Sequence, residues 1–396
     1  MALLRRIAVG VILIVTMLLL FRRNPRDEAD FLRTINAKFL AQYPQGQHHA
    51  SLSESSSPKM KSPYLNSTTG RVMVPRLVGR PASIYPPAGM QTYPRAIKLR
   101  SGVLLAASTI FTPEHSISLS ISMDSGNSWA PYSTVVKTPS QDIQLNNAFL
   151  LELPSGRLLC AFRAHTQALS AIGAEEKPGG QNEGYLYYRL MIYYSDDAGE
   201  TWQHLSTPAQ EPGPSHGNWE PFLRLSNSGV LQFYYSRELG GRDQDNLMRV
   251  SHDEGLSWSD AQVISGPDLE SRDGMLGLQE ITPGSGHLVA VFESVEEKGD
   301  GPFFEERNAG APQIALVGKT LVVSFMTDED KLEGMWHRNA YVKIITSADK
   351  GATWGNKLLV AEKPAAWAGL LALNETSFLV LCDHENRSEA QQVALV

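Results

Sequence analysis

The groups in this 396-residue sequence best suited to chemistry are carboxylic acids placed at the ends of apolar runs. Glu220 stands in Asn218-Trp219-Glu220-Pro221, between an aromatic residue and a proline that fixes the backbone. Glu293 closes the run Leu288-Val289-Ala290-Val291-Phe292, where partial burial raises a carboxyl pKa toward the range useful for proton transfer. Arginines and amides recur nearby in the pattern. Arg95 follows Tyr93-Pro94, Asn147 precedes Ala148-Phe149, Arg163 closes Ala161-Phe162, and Arg237 follows Tyr234-Tyr235-Ser236. Two carboxyls surrounded by guanidinium and amide groups are the equipment of general acid–base catalysis. Plainer readings stand beside this one: Glu220 and Arg237 as a cross-strand ion pair, and Glu293 as a solvent-facing strand end. Asp273, in Arg272-Asp273-Gly274-Met275, is a loop candidate for touching substrate, and Tyr235 is a candidate on one face of an alternating strand.

Composition narrows the partners. The net charge is −7, from 35 basic against 42 acidic residues, which argues against a nucleic-acid partner. Two cysteines, Cys160 and Cys382, are too few for a disulfide framework or a cysteine zinc site, and two buried thiols are expected. The sequence has neither a Gly-rich phosphate loop nor an HExxH string, so no metal and no cofactor are expected.

The elements that must position these groups are announced by repeats. Ser122-Met-Asp-Ser-Gly-Asn-Ser-Trp129 recurs at Ser195–Trp202, Ser251–Trp258 and Ser347–Trp354, with the shared pattern S-x-D-x-G-x-[S/T]-W. In such an octet the Asp accepts backbone N–H bonds from the residues after it, Gly takes a left-handed conformation, and Trp returns the chain to a sheet. Asp124, Asp197, Asp253 and Asp349 are therefore expected as structural staples of loops. A fainter repeat, strand–Gly turn–strand, turns at Gly102, Gly156, Gly229, Gly286 and Gly318, with a sixth copy between Trp367 and Asp383. Six hairpins, four of them followed by the octet, predict an all-β fold: a six-bladed β-propeller over residues 81–396. In each hairpin the start of the first strand and the end of the second lie together, away from the Gly turn. That end gathers Arg95, Asn147, Arg163, Glu220, Arg237 and Glu293, with Asp383 and His384 from the last copy.

Ahead of the propeller, residues 1–23 hold a fifteen-residue apolar run, Ile7 to Phe21, between arginine pairs, which reads as a signal peptide or signal anchor. Residues 24–80 read as a low-complexity linker, exemplified by Ser51-Leu-Ser-Glu-Ser-Ser-Ser-Pro58. Asn66, Asn374 and Asn386 head glycosylation sequons. The propeller is thus expected outside the cytosol, secreted or membrane-anchored at its N-terminus, and as a monomer.

The octets resemble the Asp-box, or BNR, repeats of the sialidase superfamily of six-bladed propellers. Sialidases of that superfamily place three arginines on the substrate carboxylate, with a Tyr–Glu pair and an Asp acid/base. Glu220 followed by Arg237 is similar to their Glu-then-Arg arrangement, whereas Tyr93-Pro-Arg-Ala96 differs from their Arg-Ile-Pro string. Closer in pattern is the fungal exo-arabinanase glycoside hydrolase family, which combines Tyr-Pro-Arg, Asn-Asn with Ala-Phe-Arg, a Trp-Glu-Pro-like segment and a later Phe-Glu. This resemblance implies Glu220 as general acid/base and Glu293 as nucleophile of a retaining hydrolase acting from a chain end, for example on α-1,5-arabinan, with Arg95, Asn147, Arg163, Arg237, Asp273 and Tyr235 against a carbohydrate substrate. An exo-α-sialidase and a catalytically silent glycan-binding propeller are the alternatives.

Overall fold

The computed structural model describes residues 11–16 and 73–396, apart from 113, 139, 141, 168–184, 214–216, 268, 297–307 and 331–338. The remainder of the N-terminal apolar run, the linker up to residue 72 and the Asn66 sequon lie outside the described residues. No described helix is long and apolar enough to cross a membrane.

The described residues are all-β. In chain order the strands are β1 (Val11–Thr16) and β2 (Pro75–Ser83); then β3 (Met90–Lys98), β4 (Leu104–Phe111), β5 (Ser116–Ser122) and β6 (Ala130–Lys137). Next come β7 (Ile143–Glu152), β8 (Leu158–Gln167), β9 (Tyr185–Ser195) and β10 (Gln203–Pro212). They continue with β11 (Gly217–Leu225), β12 (Leu231–Gly240), β13 (Asp243–Ser251) and β14 (Gln262–Ser265), then β15 (Ser271–Glu280) and β16 (Leu288–Glu296). The chain ends with β17 (Ala309–Val317), β18 (Thr320–Thr327), β19 (Tyr341–Ser347) and β20 (Gly355–Ala361), followed by β21 (Ala365–Ala372), β22 (Ser377–His384) and β23 (Arg387–Leu395).

These strands make five hydrogen-bonded sheets, a five-bladed propeller rather than the six blades that the six hairpins predict. Four sheets are four-stranded: β3–β6, β7–β10, β17–β20, and β21–β23 with β2. The fifth has seven strands, because the hairpin β15–β16 has no sheet of its own. Its strand β15 joins β13 in parallel at Gln244↔Arg272, and its strand β16 is flanked by the backbone of β1. No octet follows this hairpin to start a further pair of strands. An apolar cluster of Tyr234 and Met248 with Leu276, Leu278 and Phe292 packs the hairpin against the β11–β13 unit. The repeat counts hairpins correctly, and it cannot show that two of them merge.

Apolar clusters fill the spaces between neighbouring sheets. Leu105 and Leu119 meet Leu150 and Phe162, Leu159 and Leu190 meet Phe233 and Leu247, and Val322 and Val342 meet Phe378 and Val380. Burying such alternating faces supplies roughly 25 cal/mol per Å² of apolar surface, so the sheets are held radially by their flanks. The last sheet joins both ends of the described propeller, since β2 pairs with β23 from Pro75↔Leu395 to Ser83↔Glu389. Its first strand therefore begins ahead of residue 81.

The octets form the staples expected of them. Asp124 Oδ1 accepts from Ser122 Oγ and Ser128 N, both at 2.9 Å, and Oδ2 accepts from Ser128 Oγ at 2.6 Å. Trp129 Nε1 donates to Gly126 O at 3.2 Å. Asp197, Asp253 and Asp349 repeat the pattern. The left-handed turn takes two residues, the glycine and the one before it: φ is 61° at Ser125 and 87° at Gly126. Each staple also grips the preceding sheet, as where Ser206 Oγ donates to Gly255 O at 2.6 Å.

Candidate active site

The first strand of every hairpin carries a β-bulge, and in each bulge one non-glycine residue has positive φ. These residues are Tyr93, Asn147, Glu220, Met275, Ala311 and Trp367, with φ between 41° (Glu220) and 55° (Asn147). Each left-handed residue costs on the order of 1–3 kcal/mol, and bulges re-aim side chains beside functional sites. Opposite the bulges, on the second strands, stand Thr109, Arg163, Glu293 and Asp383, paired with Thr92, Asn146, Gly274 and Ala366.

Both candidate acids lie in the seven-stranded sheet, Glu220 in the β11 bulge and Glu293 on β16. The Glu220 Oε2 is sealed from solvent without a hydrogen-bond partner. Burial pushes its pKa up to about 8; the Glu293 charge adds to the rise, and Arg163, the Ser236 hydroxyl and Arg272 oppose it. Glu293 is raised as well, again by burial, while the Ala311 N–H, 3.0 Å from Oε2, and Arg272 pull it down. The two carboxyls thus share one electrostatic environment. At neutral pH Glu220 holds a proton.

Arg163 lies on the same side. Its Nη2 donates to Gln144 Oε1 at 2.7 Å, its guanidinium covers the Trp219 ring at 4.9 Å, and its Nε is buried without a partner. Beneath it His165 is packed edge-on against Tyr185, Tyr188 and Trp219. Its pKa is held well below the usual value, by burial and by Arg163, so its Nε2 bond to Asn218 O at 2.9 Å is a donation from the neutral ring. Asn147 contributes its amide to the Tyr93 hydroxyl, and its Oδ1 has no partner. Arg237 Nε is likewise buried and unpartnered. The Glu220–Arg237 ion pair does not form: Arg237 pairs across the strands with Asn218, two positions from Glu220, and Glu220 Oε2 has no partner.

Three expected ligands are buried among protein partners. Arg95 is only 4% exposed; it lies over the Tyr93 ring at 3.9 Å and donates to Pro94 O (2.9 Å) and Trp367 O (2.8 Å). Asp273 is buried, its Oδ1 accepting from Ser294 Oγ at 2.6 Å and Ser271 Oγ at 3.2 Å. Tyr235 is 3% exposed in the apolar cluster with Leu190 and Leu247, stacked near Phe233.

Sequence reasoning missed Tyr93, Trp219 and Arg272. Tyr93 is buried in its bulge, its pKa raised by burial and by the Glu220 charge, with Arg95 opposing. Arg272 sits one residue before the aspartate chosen from the same string; alternation along β15 sends the two side chains to opposite faces. Asp383, opposite Ala366, accepts from Thr92 Oγ1, and burial pushes its pKa up to about 6. Among the described residues no His/Cys/Asp/Glu cluster could hold a metal ion. Cys160 and Cys382 are buried, free thiols.

Radial sheets and four Asp-box loops make this a β-propeller of the Asp-box class. Residues 103–300, half of the chain, match the BNR repeat-like domain, and the chain belongs to that family. Its fold is similar to a protein of unknown function from Dyadobacter fermentans (TM-score 0.59, 15% identity, 81% of this chain and 99% of that one). It is also similar to an α-L-arabinanase of Penicillium chrysogenum complexed with arabinobiose (TM-score 0.57, 19% identity, 80% and 97%). A third likeness is to a GH93 α-L-arabinofuranosidase of Fusarium graminearum with arabinobiose (TM-score 0.55, 18% identity, 79% and 97%). No curated protein matches the chain.

Proposed function

We propose that this protein is an extracytoplasmic glycoside hydrolase that acts by retention from the chain end of a polysaccharide such as α-1,5-arabinan. The observation that carries the reading is the half-buried, electrostatically coupled pair Glu220–Glu293, one with a desolvated oxygen and a pKa pushed up to about 8, the other supported by a backbone N–H. The arabinobiose complexes of two fold relatives direct the choice of sugar. Glu220 donates its proton to the glycosidic oxygen as that bond to the anomeric carbon breaks, and the Glu293 carboxylate forms a bond to the same carbon. Glu220, now ionised, then takes a proton from water as the water oxygen displaces Glu293, and both side chains return to their starting states. Arg163 supplies a cation beside the acid, and Asn147 leaves its Oδ1 as an unpartnered acceptor. The exo-sialidase reading is the alternative: Arg95 Nη1 is held by the carbonyls of Pro94 and Trp367, while its Nη2 is buried without a partner. The sequons at Asn374 and Asn386 lie in exposed turns, as glycosylation outside the cytosol requires.

The test uses arabinan, aryl α-L-arabinofuranosides and aryl sialosides with wild type, Glu220→Ala and Glu293→Ala. Each substitution should lower turnover by about 10²–10⁴-fold. Azide should rescue Glu220→Ala with a glycosyl azide of retained configuration and Glu293→Ala with one of inverted configuration. The opposite pairing would exchange the two roles; a wild type that cleaves none of these substrates would refute the hydrolase.

A further inference from the structure

The contact that merges two hairpins into one seven-stranded sheet also holds a cation next to both acids. At Gln244↔Arg272 the parallel pairing of β13 and β15 begins, and Arg272 reaches from β15 back across the junction. Its Nη1 donates to Glu238 Oε1 at 2.8 Å and to the carbonyls of Gly240 and Gly241, both at 3.2 Å; its Nη2 donates to Gln244 Oε1 at 2.9 Å. Glu238, with 7% of its side chain exposed, accepts from Trp219 Nε1 at 3.2 Å through its other oxygen. Trp219 is the residue before Glu220. One continuous set of hydrogen bonds therefore runs from β15 through β12 to the backbone that carries the acid, while β16, paired with β15, carries the second acid at Gly274↔Glu293.

We infer that Arg272 is a positioning residue: its guanidinium, fixed by Glu238, Gln244 and two main-chain carbonyls, staples the two hairpins so that Glu220 and Glu293 stay side by side and share one cation. These four bonds hold the Nη1 and Nη2 edge of the guanidinium, and substrate contact is left to Arg163 and Arg237, whose Nε atoms are buried without a partner. Its charge still reaches both acids, stabilising the ionised form of each. The other charged and titratable groups around them are Arg163 and Tyr93 for Glu220, each acid for the other, and Glu238 and Asp243 for Arg272. An opposite charge nearby favours the ionised form of a carboxyl and so lowers its pKa. A charged clamp of this kind depends on Arg for its planar fork, which Lys does not reproduce.

The activity arm of the test rests on the hydrolase reading; the titration arm does not. Wild type, Arg272→Gln and Arg272→Lys, as full chains, are labelled with [δ-13C]glutamate, and the carboxyl resonances are assigned with Glu220→Gln and Glu293→Gln. Removing the cation should move both carboxyl titrations to higher pH in Arg272→Gln, with a smaller shift in Arg272→Lys. In turnover, the acid limb, set by ionisation of Glu293, and the alkaline limb, set by the Glu220 proton, should both move up in pH. Lower turnover with an unmoved profile and unmoved titrations would mean a structural role only and overturn the inference. If Arg272→Gln does not fold, the Lys variant carries the comparison by itself. Shifted titrations in a protein that cleaves nothing would sustain the staple and remove the hydrolase.

Discussion

Carboxylates appear at two ends of this molecule under opposite conditions. In the octets, Asp197 and Asp253 are exposed, accept from side-chain hydroxyls and backbone N–H groups, and are held down to about 2 by those bonds, first of all those from Thr201 and Ser257. In the bulges, Glu220 has one oxygen with no partner at all and is pushed up to about 8 by burial. The octet oxygens are saturated and fix a loop. The bulge oxygen is left unsatisfied, and a proton or a substrate must complete it. Partner supply and water access separate a staple from a catalyst more sharply than residue type does.

The largest expected effect tests the bulge end. A carboxyl with a raised folded-state pKa contributes most to stability below its unfolded value of about 4.5, and that contribution is lost as pH rises through about 8. Glu220→Gln should therefore be more stable than wild type at pH 9, by on the order of a few kcal/mol, and nearly equal at pH 4. Urea melts across that range check it; a difference independent of pH would mean the acid is not buried as described. At the octet end, Gly126 has φ 87°, and an added Cβ would meet Leu379 Cδ1 at 2.6 Å. Gly126→Ala should cost about 2–3 kcal/mol, whereas Gly229→Ala, at φ 80° with nothing within 4 Å, should cost about 1. Equal losses in chemical denaturation would show that the octet glycine does not depend on the neighbouring sheet. The smallest effect is at Asp197. Its pKa is depressed, so its contribution is present above about 3.8 and is lost as pH falls through about 2. Asp197→Asn should lower Tm slightly at pH 7 without altering turnover, and the gap should close toward pH 2. A gap that persists at pH 2 would point to lost packing instead of a lost charged acceptor.

The octet end was the more legible of the two in the sequence. Its partners lie within four residues of each aspartate, so spacing alone predicts the bonds from Ser128, Thr201, Ser257 and Thr353. The hairpin count followed from the strand–Gly–strand repeat, and the same repeat set Glu220, Glu293 and Arg163 at corresponding strand ends, where they share one electrostatic field. The burial of Arg95 and Tyr235 was not legible, because position along a strand does not reveal which face is covered by a neighbouring sheet. The bulges compound this, since one extra residue on β11 shifts the register by one, from Phe222↔Tyr234 to Trp219↔Ser236. The number of sheets was misjudged for a related reason: merging depends on Gln244 and Arg272, which lie far apart in the chain and belong to no repeat.

What the sequence by itself determined is local. Periodic Gly turns, the Ser-x-Asp-x-Gly frame and alternating apolar residues specify strands, hairpins and staples, because each rests on contacts a few residues apart. What only the tertiary structure decided is which acids lose their water. Desolvation is a property of everything packed around a group, and here that packing comes from two hairpins joined sideways, with a guanidinium at the seam and a backbone N–H from a third strand pair. A short-range pattern contains none of those distances, so it could nominate Glu220 and Glu293 and yet not say that one carries a proton and the other a hydrogen bond.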